Sequence, residues 1–354
     1  MKHLKTILFI LISNILLFIA LEGFFSTVLV LRDTVSAVYH APERRFTKYD
    51  ELLGWSNIPN FEVKDIYAPG VYLKTNSQGF RNNKDFDIKI PEGKIRIICS
   101  GDSFTLGHGV DNDHTWCELL SKINKKLETV NLGQAGYGID QAYLWYKRDG
   151  RKLEHNIHAF AFTTEDFDRM KYNKRTFYSK PMLKLVNGDL KLCNVPVPRY
   201  SPPFLRLAEH MQRFDEFRFY QFFKRVTKKI YSQKNIKDTA FDSETKAIAL
   251  KVFETLQKFN EEKKSKLILV YLPSDEDYTD YQPDTDLWRK WLKAEMARRN
   301  ILFIDLYDDF LQVPFAKAVS LFRKNDCHYS EEGNKFVSEA LYKKLVYLDL
   351  IPRK

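Results

Sequence analysis

Five short apolar runs, at 95–100, 129–132, 157–163, 266–272 and 301–306, each close on glycine or polar residues. Runs of this length read as strands buried on both faces. The stretches 115–127, 139–148, 243–262, 287–299 and 331–346 carry helical spacing, as in Trp116, Leu119, Leu120 and Ile123. Strands that alternate with helices predict an α/β chain, with a parallel sheet of about five strands covered on both faces.

The first run leads through Ser100 and Gly101 into Asp102, Ser103, Phe104 and Thr105. A serine just past a buried strand stands at the carboxyl edge of the sheet, where open α/β folds place their ligands, and Gly101 lets the chain turn there. Ser103 is therefore the candidate nucleophile; a polar turn capping the next helix is the alternative. Ester cleavage also needs a base and donors for the developing oxyanion. Of the eight histidines, His328 has a carboxylate, Asp326, two residues before it. That carboxylate is placed to hold the imidazole tautomer and stabilise the imidazolium. His108 and His114 have no carboxylate with an evident orienting role and are read as loop residues. The backbone amides of Ser103 and Gly133 are the expected oxyanion donors, because Gly133 ends the second run and lacks a side chain to block approach.

Lys2 and Lys5 precede an apolar run from Ile7 to Leu31, long enough to cross a bilayer as a helix. Basic residues ahead of it favour a cytoplasmic N-terminus, with the rest of the chain outside the inner membrane. A cleaved signal peptide is the rival, and Ala20-Leu21-Glu22 fits a cleavage site poorly. Glu22 is costly at mid-bilayer and is expected near an interface or against another helix. The chain then divides into a cytoplasmic tip and anchor at 1–32, an extended lead-in without a long helix at 33–92, and a catalytic domain at 93–350 with an insertion at 170–240.

The formal net charge of +10 is concentrated in that insertion, where 170–238 holds 16 Lys or Arg against 5 Asp or Glu. Such a surface suits anionic lipid or acidic polysaccharide, and an exported domain does not meet nucleic acid. Pro181, Pro196, Pro198, Pro202 and Pro203 predict an irregular first half; Phe204 to Ile230 predicts a basic, aromatic helix, either membrane-facing or packed on the domain. Cys99, Cys117, Cys193 and Cys327 lack CxxC spacing, so no metal is expected, and no cofactor. Cys99, in a core strand, reads as a buried thiol.

Gly101-Asp102-Ser103-Phe104 resembles the first block of the SGNH or GDSL hydrolase superfamily, Asn131-Leu132-Gly133 its glycine block, and Asp326-Cys327-His328 its closing block. Thr75-Asn76-Ser77-Gln78-Gly79-Phe80-Arg81 is similar to the lead-in of many membrane-anchored members. The resemblance, over about residues 50 to 346, implies a flavodoxin-like α/β/α fold. It implies serine esterase chemistry with Ser103 as nucleophile and oxyanion donor, Gly133 as second donor, and Asp326 and His328 completing the triad. One position departs: the third block, Gly-x-Asn-Asp in the family, is Thr163-Thr164-Glu165-Asp166 here. An ionised Glu165 cannot donate the hydrogen bond that an asparagine amide supplies. The expected function is a membrane-anchored esterase that removes O-acyl groups, O-acetyl foremost, from a carbohydrate or glycolipid. An O-acyltransferase for an extracytoplasmic polysaccharide and a catalytically weakened glycan-binding scaffold are the alternatives.

Overall fold

The computed structural model describes residues 2–40, 46–175, 178–199, 243–275, 277, 283–324 and 326–353. The chain falls into two units, one holding the N-terminal helix and the other the sheet. The helix, α1, spans Lys2–His40. Its stretch His3–Phe24 is long and apolar enough to cross a membrane. Polar side chains in it bond back to their own helix: Asn14 Nδ2 donates to the Ile10 carbonyl at 2.9 Å and Thr27 Oγ1 to that of Gly23 at 2.7 Å. The expectation of no long helix from residue 33 fails for 33–40, which continue α1. No proline or glycine stands in 33–40 to stop the helix.

In the second unit five parallel strands form the main sheet: β1 (Ile95–Gly101), β2 (Leu127–Gly133), β3 (Ile157–Phe162), β4 (Lys266–Tyr271) and β5 (Leu302–Asp305). Their order is β5-β4-β3-β1-β2, the doubly wound arrangement of flavodoxin-like folds, in which strand order reverses between β1 and β3. The α/β class and the flavodoxin-like layout expected from sequence are those of the structure. Every residue of β2 and β3, and all of β1 after Ile95, is buried, so apolar residues fall on both faces of these strands, and the buried Arg96 among them is paired with Glu128.

The helices used below are α2 (Ser103–Leu106), α3 (Trp116–Ile123), α4 (Ile139–Arg148), α5 (Glu165–Met170), α6 (Ser243–Glu262), α7 (Pro283–Arg298) and α8 (Glu331–Tyr347). One face of β1 sends Ile97 and Cys99 against Trp116 and Leu120 of α3 and Val337 and Leu341 of α8. Side chains alternate along a strand, so Ser100 faces the other way. Its Oγ meets His158 Nε2 at 2.6 Å, and His158 stacks on Tyr146 of α4 with centroids 3.6 Å apart. Phe160 and Phe162 of β3 pack against Phe253 of α6 on that side.

Gly101 and Gly133 are register partners at the carboxyl ends of β1 and β2. A Cβ on Gly133 would lie 2.0 Å from the Leu106 nitrogen, so the glycine is what lets α2 sit on the end of β2.

Short strand pairs, Thr47–Asp50 with Gly54–Asn57 and Glu62–Val63 with Leu73–Lys74, fold the lead-in on itself, and the Arg81 N–H on the Asn131 carbonyl at 3.1 Å and Asn82 Nδ2 on the Thr129 carbonyl at 3.1 Å join it to β2. Phe80, 2% exposed, anchors the turn that follows. The insertion's first half differs from expectation. Met182–Val186 and Asp189–Cys193 form a hairpin. Asn187 and Gly188, both at positive φ, make its two-residue turn. The prolines lie outside it. The helix expected at Phe204 to Ile230 lies outside the described residues.

Candidate active site

Asp102 and Ser103 sit where β1 becomes α2, on one side of the crevice at the strand-order reversal. Asp102 caps α2 by accepting the Phe104 N–H on Oδ1 at 2.8 Å. Ser103 is thereby the first helical residue, and its own N–H has no partner among the described residues. Gly107, left-handed with φ 86°, closes the short helix, and its N–H returns to the Ser103 carbonyl at 3.0 Å. The buried Arg81 fixes the same turn from the lead-in. Its guanidinium donates to the carbonyls of Leu106 at 2.7 Å, Gly107 at 2.5 Å and Val110 at 2.5 Å, and to Asn112 Oδ1 at 3.0 Å.

Asp326 and His328 arrive on the loop ahead of α8. That loop is held by backbone bonds from Arg323 N–H to the His328 carbonyl at 2.9 Å and from Ser330 N–H to the Leu321 carbonyl at 2.8 Å. His328 Nε2 lies 2.7 Å from Ser103 Oγ, and His328 Nδ1 lies 2.5 Å from Asp326 Oδ1. The three residues named from sequence are thus brought into one hydrogen-bonded line. With Nδ1 protonated toward Asp326, Nε2 is free to accept the serine proton.

Arg323 Nη1 donates to the other oxygen, Asp326 Oδ2, at 2.6 Å. Burial alone would raise the Asp326 carboxyl, but the hydrogen bonds and charge of His328 outweigh it and hold it below the usual carboxylate range. Burial likewise pulls His328 down, while its contacts with Asp326 and Cys327 outweigh that and lift it to about 9.

His108 also belongs to this group, contrary to its reading as a loop residue. Its ring lies against His328 with centroids 4.4 Å apart, and its Nε2 is 3.9 Å from Asp326 Oδ2. Tyr67 of the lead-in covers it, with ring centroids 4.4 Å apart. Burial, then the charge of His328, push His108 down to about 3, so it stays neutral beside the base. The ligand atoms of His108, Asp326 and His328 lie within 4.8 Å of one another. Within this cluster Arg323 already engages Asp326 Oδ2 and Ser103 engages His328 Nε2.

The amide expected from Gly133 is committed elsewhere: its N–H donates to Asn131 Oδ1 at 2.9 Å. Along the same loop, Ala135 N–H bonds Gln134 Oε1 and Tyr137 N–H bonds the Gln134 carbonyl. The Gly136 N–H, on a buried residue with φ 79°, has no partner among the described residues. Unpaired amides on buried residues are rare. This loop therefore offers a donor three residues beyond the one named from sequence.

Glu165 and Asp166 begin α5, after β3, on the other side of the crevice. Glu165 is 60% exposed and forms an ion pair with Arg169. Asp166 is buried and accepts the Thr163 N–H at 3.0 Å. Burial and then the charge of Asp102 push its carboxyl well up. Arg169 binds both acids and Asp102 as well.

No protein-family model matches the sequence, and no curated protein matches it. Among solved structures the chain is similar to a lipolytic protein of the G-D-S-L family from Desulfitobacterium hafniense, at 17% identity over 71% of this chain and 99% of that one, with a TM-score of 0.39. It is similar to the lipase/acylhydrolase from Enterococcus faecalis at 13% identity over 73% and 99% of the two chains, with a TM-score of 0.40. It is similar also to an acetyl xylan esterase, at 14% identity over 71% and 100%, with a TM-score of 0.41.

Proposed function

We propose that the protein is a serine hydrolase of carboxylic esters. The observation that carries this reading is the line Asp326 Oδ1, His328 Nδ1, His328 Nε2, Ser103 Oγ, with contacts of 2.5 Å and 2.7 Å. Ser103 Oγ attacks the acyl carbonyl while His328 Nε2 takes its proton, and Asp326 stabilises the imidazolium. The unpaired amides of Ser103 and Gly136 meet the negative oxygen. The imidazolium then protonates the departing alcohol, and a water activated by His328 releases the acid. The substrate class we assign is an O-acyl ester, O-acetyl foremost, on a carbohydrate or glycolipid. The resemblance of the Ser103 and His328 blocks to SGNH hydrolases supports the chemistry. The apolar N-terminal helix supports single-pass anchoring in the inner membrane, with the active site outside the cytoplasm.

The test uses the full chain in detergent, with a fluorophosphonate probe and p-nitrophenyl acetate. Labelling of Ser103 and release of nitrophenol, both lost in Ser103→Ala, are expected. A folded wild-type protein that neither labels nor turns over would overturn the assignment. Adding sugar acceptors and finding acetyl on sugar rather than as free acetate would make the enzyme a transferase.

A further inference from the structure

Arg169, on α5, ties its own helix to two other segments at the crevice. Its Nη1 donates to Asp102 Oδ2 at 3.0 Å after β1, to the Tyr137 carbonyl at 3.0 Å after β2, and to Asp166 Oδ1 at 2.6 Å after β3. Its Nη2 pairs with Glu165. The side chain is 11% exposed, and a Cβ on Gly138 would lie 2.9 Å from its own Cβ, so the arginine is packed against the glycine-rich loop. Asp102 Oδ2 in turn lies 3.5 Å from Ser103 Oγ.

This arrangement poses an electrostatic problem and contains its remedy. Negative charge builds on the acyl oxygen beside Ser103 during attack. A carboxylate as near as Asp102 opposes that charge, and in a partly dry crevice the opposition is poorly screened. The guanidinium on Asp102 Oδ2 cancels it. The same group fixes the Tyr137 loop, and so Gly136, relative to Ser103.

We propose that Arg169 is a positioning residue of the reaction, neutralising Asp102 next to the nucleophile and setting the spacing of the Ser103 and Gly136 amides, with Glu165 holding the guanidinium in place. The proposal rests on the ester-cleavage reading. It also accounts for Glu165, since the acidic residue that stands where an amide donor is expected secures a cation that serves the same side of the site.

A mutant cycle on the full chain in detergent tests it, read by p-nitrophenyl acetate turnover and by the rate of fluorophosphonate labelling. Arg169→Met is expected to lower kcat about 10²-fold, the scale of losing one oxyanion contact, with KM held within about threefold because the effect falls on the transition state. Asp102→Asn keeps the helix cap, since asparagine accepts the Phe104 N–H equally well, and removes the charge that Arg169 cancels. The double variant is therefore expected to be about tenfold or more faster than Arg169→Met alone, a coupling that a merely structural arginine does not give. Arg169→Lys is expected to fall between wild type and Arg169→Met, and it replaces the methionine in the cycle if that variant does not fold. Arg169→Met within about twofold of wild type, or a double variant no faster than the single, overturns the inference while the labelled wild type keeps the hydrolase reading. An unlabelled, inactive wild type overturns both.

Discussion

The imidazole of His108 lies against that of His328 at a centroid distance of 4.4 Å, tilted by 34°. Phe104 packs on His328 as well, at 4.9 Å, so the His328 ring is held by aromatic neighbours and by hydrogen bonds at both nitrogens. Ring pairs of this kind contribute about 0.5–1.5 kcal/mol. His108→Ala is expected to lower kcat by up to about tenfold, the rate equivalent of that energy. His108→Phe, which keeps a ring in place, is expected to stay near wild type. Steady-state kinetics of the two variants check this, and equal losses in both would show that the ring contact does not matter.

The pH dependence follows from His328. Its value near 9 means that the imidazole is protonated at neutral pH, and only the neutral form accepts the serine proton. Activity is expected to rise with pH through about 9, as a pH–rate profile on a neutral ester would show. Stability runs the opposite way. A group raised on folding contributes its stability in full below its unfolded value of about 6.5 and loses it as pH climbs through the folded value. Asp326→Asn is expected to move the kinetic midpoint down and to lower kcat by about 10³–10⁴-fold. An unchanged midpoint in that variant would detach Asp326 from the base.

Gly133→Ala tests the seat of α2, the helix that begins at Ser103. The added Cβ would meet the Leu106 nitrogen at 2.0 Å and the Thr105 carbonyl carbon at 2.4 Å, both of them backbone atoms. A loss of about 1–3 kcal/mol is expected, the usual cost of overpacking, measurable by chemical denaturation. Full stability with normal activity would mean that α2 is free to shift.

Arg81→Met is expected to be similarly severe. It removes the guanidinium from the carbonyls of Leu106, Gly107 and Val110; the first two keep only long contacts, from Asn131 Nδ2 and the Val110 N–H, both at 3.4 Å. A buried carbonyl left unsatisfied, as at Val110, costs about 1–3 kcal/mol. Because the same turn carries His108, kcat is expected to fall further than for His108→Ala, and thermal unfolding with kinetics on one preparation separates the two losses.

Most of the sheet was legible because buried parallel strands write themselves as unbroken apolar runs; Ile157–Phe162 and Lys266–Tyr271 are the strands expected there to within a residue. The hairpin at 182–193 carried its own signal, Asn187-Gly188, and was overshadowed by the prolines around it. Ser103 is legible from its place just past a buried strand, and Asp326 and His328 because they neighbour each other in sequence. From sequence His108 reads as a loop residue, and nothing marks Arg169. Their partners come from far along the chain, Asp326 for the first and Asp102 and Tyr137 for the second. Gly133 is the donor named from sequence because strand ends are visible there, whereas an unpaired amide within a loop, as at Gly136, is not.

The lead-in is more than a spacer. Trp55 Nε1 donates to the Ala135 carbonyl, Tyr137 OH to the Trp55 carbonyl, Gln134 Nε2 to Asn57 Oδ1, and Tyr67 roofs His108. The surroundings of Ser103 and His328 are therefore built partly from the polypeptide that precedes the first sheet strand. A truncation that begins at Ile95 would discard those contacts, so a shortened version of the protein that keeps them has to start ahead of Phe46.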